Sequence, residues 1–86
     1  MSVMTQKYID KNILLSIEFD KYIISHPELL ASIPKGATIV ITLNGDDEFN
    51  NASISVIKRS RSKRPVVEAR KSDGSWRIAP LQLNAA

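Results

Sequence analysis

Asn12, Ser16 and Asp20 stand four residues apart, an amide, a hydroxyl and a carboxylate in one line. On a helix at roughly 100° per residue they form a seam whose members sit about 40° apart. Such a set can hold a ligand hydroxyl or amine. It cannot easily run nucleophilic chemistry, because no histidine or lysine shares the seam to activate the serine. Apolar residues flank it on both sides: Tyr8, Leu15, Phe19 and Tyr22 on one, Ile9, Ile13, Ile17 and Ile24 on the other. The helix has a separate solvent face in Lys7, Asp10, Lys11, Glu18, Lys21 and Ser25, with Leu14 as an apolar intruder. Polar groups among apolar neighbours must be bonded inside the fold, paired across an oligomer interface, or exposed in a cleft. The structural reading leads: Asp20 accepts N–H bonds from the loop Ser32 to Gly36, and Asn12 and Ser16 pair within the fold or with a symmetry mate.

The remaining candidates carry less chemistry. His26 precedes Pro27 at a helix junction, where packing or capping outweighs a lone acid–base role. Asn44 to Glu48 follows the carboxyl end of a strand, a place where open α/β sheets bind ligands. Its three consecutive acids repel phosphate, and its glycine spacing fails the P-loop pattern. A divalent cation on Asp46 and Asp47 is a weaker reading than a dipole-matched helix start. Lys58, Arg59, Arg61, Lys63 and Arg64 place five cations in seven residues, a possible contact for a nucleic-acid backbone, with Trp76 or Arg77 as extensions. No interleaved aromatics accompany the cluster, so a solvated loop is the leading reading.

Composition narrows the classes further. The chain has 86 residues, no cysteine and one histidine, which excludes disulfides, thiolate sites and a multi-histidine metal centre. No metal or cofactor is expected. An apolar fraction of 43% is that of a folded chain, and the length implies a single small domain with a modest core. The N-terminus lacks a signal-peptide pattern and no apolar run would span a bilayer, so the expected address is cytoplasmic and no membrane partner is expected. The net charge of +3 divides unevenly: four lysines face seven acids in residues 1–50, and eight cations face two acids in residues 51–86. Such polarity can mark a nucleic-acid surface or head-to-tail self-association, but a charge division without function is the leading reading.

These residues need elements to position them. A first helix is predicted from an N-cap at Thr5, with Met4 stapled to Ile9, to about Ser25. Ser25 and Glu28 read as a capping box for a short second turn whose Leu29, Leu30 and Ile33 pack inward. Ala37 to Leu43 is a strand of central type, apolar enough for cover on both sides. Asp46 to Ser60 reads as a helix with a stripe of Phe49, Ala52, Ser53 and Val56, although Ala52 to Ile57 also alternates like a strand. Acids at its start and Lys58 and Arg59 at its end favour the helix. Val66 to Arg70 and Trp76 to Ala79 are strands joined by a loop from Lys71 to Ser75.

Lys11-Asn12-Ile13, Leu15-Ser16, Glu18-Phe19-Asp20-Lys21-Tyr22, His26-Pro27-Glu28, Ile33-Pro34 and Gly36-Ala37 form a pattern that resembles a family of small prokaryotic proteins classed as a domain of unknown function. The resemblance covers residues 9 to 43 well and Pro65 to Val67 more loosely. It departs in 50–64, where the family is richer in leucine and alanine. It implies an α/β domain and supplies no activity.

The expected fold is α/β of the α+β kind: a long helix, a short helix, then β-α-β-β with a three-stranded mixed sheet. Two exposed sheet edges favour a homodimer, by edge pairing or helix docking. The leading function is a non-enzymatic interaction domain acting by homodimerisation or through a protein partner. The alternatives are weak, sequence-independent nucleic-acid binding through 58–64, and a small-ligand or enzyme site at Asn12, Ser16 and Asp20.

Overall fold

A computed structural model describes residues 6–60 and 63–81. The cap and staple expected at Thr5 and Met4, and the candidate contact Arg61, lie outside the described residues. Helix α1 spans Gln6–Ser25, strand β1 Thr38–Leu43, helix α2 Asp47–Ser60, strand β2 Val66–Ser72 and strand β3 Ser75–Pro80. The sheet order is β1-β2-β3. Strands β1 and β2 run parallel, from Thr38 opposite Val66 to Leu43 opposite Lys71. Strands β2 and β3 are antiparallel, from Val67 opposite Pro80 to Ser72 opposite Ser75. The mixed α+β architecture is therefore the expected one, with α2 as the crossover between the parallel strands.

Strand β1 departs from its reading in one respect: it lies at an edge, and β2 is central. Its β-branched content reflects burial of both faces rather than two strand neighbours, for Val40, Ile41 and Thr42 are all buried. Below them, Leu15 and Phe19 of α1 meet Ile41, Ala69 and Trp76, and Phe49 of α2 joins the same cluster. Phe19 and Trp76 pack tilted with ring centroids 5.1 Å apart, as do Tyr8 and Phe49 at 5.2 Å.

Local chemistry settles the ambiguous segment as a helix. Asp46 stands just ahead of α2, and its Oδ1 accepts the Phe49 N–H at 3.1 Å. Asp47 and Glu48 occupy the first turn and Lys58 and Arg59 the last, complementing the dipole. The stripe is shifted by one: Phe49, Asn50 and Ser53 are buried, while Ala52 and Val56 are half-buried.

Two other local expectations are corrected. Ser25 remains the last helical residue of α1, so it cannot adopt the extended backbone that an N-cap needs. His26 takes that place before a 3₁₀ turn at Pro27–Ser32, without a side-chain cap. Ile33 packs on the core but Leu30 faces outward, 53% exposed. The β2–β3 connection is shorter than the expected five-residue loop. Lys71, Ser72 and Ser75 belong to the ladder, leaving Asp73-Gly74 as a two-residue turn. Both have positive φ, 49° and 81°, the type I′ geometry that matches strand twist.

Candidate interaction surface

Three contacts fix how α1 lies on the rest of the chain. Lys11 forms an ion pair with Asp46 at the start of α2, over the Phe49 ring. Tyr8 donates its hydroxyl hydrogen to Ser53 Oγ at 3.1 Å, which satisfies a buried serine. Lys71 Nζ, at the hairpin end of β2, reaches Glu18 at 2.6 Å. Between these anchors Leu15 and Phe19 face the sheet. The Lys11 hydrogen bond, followed by the Phe49 N–H, holds the Asp46 carboxyl below its ordinary value, against a smaller upward push from burial.

With the tyrosine–leucine–phenylalanine flank turned inward, the isoleucine flank turns outward. Ile13 is 51% exposed, Ile17 48% and Ile24 78%, with Leu14 beside them at 64%. The polar seam runs along the border between the two flanks. Asn12 and Ser16 are half-buried and Asp20 is exposed. None of the three makes a side-chain hydrogen bond among the described residues, and their polar atoms reach solvent. The loop bonds expected of Asp20 are absent: Ile33 N–H goes to the Leu30 carbonyl and Ala37 N–H to that of Pro34. A helix that is apolar on both flanks can bury only one of them on a single sheet. The seam and the isoleucines thus form an outer face about 18 Å long, at 1.5 Å per residue from Asn12 to Ile24.

The other candidates are placed as follows. His26 is half-buried and stacked on Tyr22, rings 4.0 Å apart, with Nδ1 3.0 Å from the Tyr22 carbonyl oxygen. That is the packing role expected of it. Asp47 and Glu48 are exposed at the head of α2. No group of three or more His, Cys, Asp or Glu among the described residues is placed to hold a metal. Lys58 and Arg59 are exposed in the last turn of α2, and Lys63 and Arg64 are exposed between α2 and β2. Trp76 does not extend that basic surface, being buried against Phe19. Arg77 pairs with Arg70 toward the hairpin, away from the Pro65 end where the basic segment enters the sheet.

Two arrangements escaped sequence reasoning. Asn50 is buried beside the edge strand, where the Leu43 N–H donates to its Oδ1 at 2.8 Å and its Nδ2 donates to the Leu43 carbonyl at 2.9 Å. Nothing in the sequence separates it from the exposed Asn51. On the sheet face opposite Ile41 and Ala69, Glu68 Oε2 accepts from buried Thr42 at 2.7 Å and from Arg70 Nε and Nη2 at 3.2 and 3.0 Å. The alternation of β2 could have suggested that Glu68 and Arg70 share a face.

No helix among the described residues is long and apolar enough to cross a membrane. Comparison with curated proteins and with solved structures gave no match. The model of a family described as "Family of unknown function (DUF5647)" matches residues 7–81, from the first turn of α1 to the residue after β3, so the chain belongs to that family.

Proposed function

We propose that this chain is a non-enzymatic interaction domain, cytoplasmic as its sequence suggests, that works by docking through the outer face of α1 and so forms a homodimer. The observation that carries the reading is the exposed line of Ile13, Ile17 and Ile24, with Leu14 beside it, on a helix whose other flank already fills the core. Contiguous exposed apolar side chains rimmed by polar ones mark protein interaction sites. The sheet edges offer a poorer route. At β1, Asn50 occupies both outward groups of Leu43. At β3, Leu81 N–H bonds to the Val66 carbonyl, so the backbone of Pro80, one residue earlier, turns away from β2 to the open edge, where proline presents no donor. Asn50 and Pro80 thus blunt one end of each edge, which makes the helix face the better route.

Amide NMR spectra over a dilution series test this reading. Resonances of Ile13, Ile17, Asp20 and Ile24 should shift or broaden as concentration rises, while those of β2 stay fixed. Changes confined to β3, or none in α1 up to about millimolar protein, which is the affinity of a weak association, would overturn it.

A second reading rests on Lys58, Arg59, Lys63 and Arg64, all exposed and close in sequence, with Arg61 between them. Backbone-phosphate binding through them would be independent of sequence and steeply salt-dependent. A labelled DNA or RNA oligonucleotide that stays unbound at low ionic strength removes it.

A further inference from the structure

We propose that the occupant of the outer face is a second copy of this chain laid antiparallel, with the two-fold axis passing between Leu15 and Ser16. This rests on the reading that the face docks protein, and it adds the orientation and register.

Charge favours this orientation. On the helix wheel, Asp10 and Lys21 share one flank of the line Ile13, Ile17 and Ile24, and Ser16 and Asp20 lie along the other. Asp10 is exposed and accepts only a hydrogen bond from Gln6 Nε2, 2.8 Å away. Lys21 is exposed and has no ion pair among the described residues. Asp10 and Lys21 lie about 8 Å on either side of the proposed axis, at 1.5 Å of rise per residue. An antiparallel copy therefore brings Asp10 opposite the second copy's Lys21, and symmetry repeats the contact. Ile17 of one chain then falls by Leu14 and Ile13 of the other. Along the second flank, Asp20 sits at the rim of the contact, while Ser16 and Asn12 turn progressively toward their own sheet. Parallel packing in register brings opposite flanks together instead, so that Lys21 lies by the second copy's Asp20 while Asp10 meets no cation.

Sedimentation equilibrium of the full chain tests the arrangement, with far-UV circular dichroism confirming that each variant is folded. Asp10→Lys and Lys21→Asp singly should each raise the dimer Kd about tenfold, since both symmetric pairs become repulsive. The double reversal Asp10→Lys/Lys21→Asp should return it to within about threefold of the parent, because both pairs are restored with opposite sign. Single reversals that tighten the dimer, or a double reversal that fails to rescue it, overturn the antiparallel register. If the reversals leave the dimer unchanged while Ile17→Glu abolishes it, the face docks but the register is wrong. A parent that stays monomeric throughout overturns the docking reading itself.

Discussion

Asn50 does for the end of β1 what a neighbouring strand would do, because one carboxamide meets both the N–H and the carbonyl of Leu43. Replacing it with alanine strands two backbone groups at a buried position. We expect Asn50→Ala to cost about 1–3 kcal/mol in urea unfolding; a change within about 0.5 kcal/mol, typical of neutral surface sites, would show that solvent replaces the amide without loss. Asp20 is the opposite case. Its position in the helix predicts a structural acceptor, but it is exposed and meets none of the loop N–H groups. Asp20→Ala should therefore leave the stability of the monomer within about 0.5 kcal/mol. Asp46 adds a pH signature. Its carboxyl is held below the ordinary value of 3.8 by Lys11 and the Phe49 N–H. A lowered folded-state pKa gives stabilisation that is complete above the unfolded value and is lost as pH falls through the folded one. Urea midpoints measured down an acid series should thus fall more steeply for the parent than for Asp46→Asn below that value, and parallel curves would contradict the assignment. Side chains of this kind were poorly legible in the sequence. Asn50 and Asn51 are identical in type, and only the approach of the edge strand distinguishes them.

Helix α2 was legible because its ends are chemically marked: Asp46 at the cap, acids in the first turn and cations in the last. The competing alternation of Ala52 to Ile57 had no such terminal signals. Strand β1 was legible in extent to within one residue, but not in its place at the edge, since burial of both faces looks the same for edge and centre. The hairpin shows the same limit. Lys71 to Ser75 is legible as a hairpin loop, yet the pairing of Lys71 with Trp76 and Ser72 with Ser75, which leaves Asp73-Gly74 as the turn, depends on register, which composition does not encode. Both turn residues occupy the left-handed region. Gly74→Ala should cost about 1–2 kcal/mol, the penalty for a Cβ in that conformation, and thermal unfolding measures it. A substitution without effect would mean the turn relaxes to another type. For α1 the periodicity revealed a helix but not which flank faces inward, because both flanks are apolar. Contacts from outside the helix decide the matter: Lys11 with Asp46, Tyr8 with Ser53, and Glu18 with Lys71.

The chain as a whole is an α1-β1-α2-β2-β3 fold that belongs to a family of unknown function, and its packing places apolar surface on the outside of its longest element. Folding leaves that surface over because one face of a three-stranded sheet has room for one flank of α1 beside Phe49 of α2. The homodimer proposal follows from this remainder together with the blunting of one end of each sheet edge by Asn50 and Pro80. It does not depend on the basic segment, which would bind phosphate or stay solvated in either assembly state. Light-scattering mass over a concentration series, for the parent and for Ile13→Glu/Ile17→Glu, tests it most directly. The parent should climb from 9.6 kDa toward twice that mass while the double variant, still folded, stays at 9.6 kDa. A parent that remains at 9.6 kDa at every concentration, indistinguishable from the variant, would contradict the account.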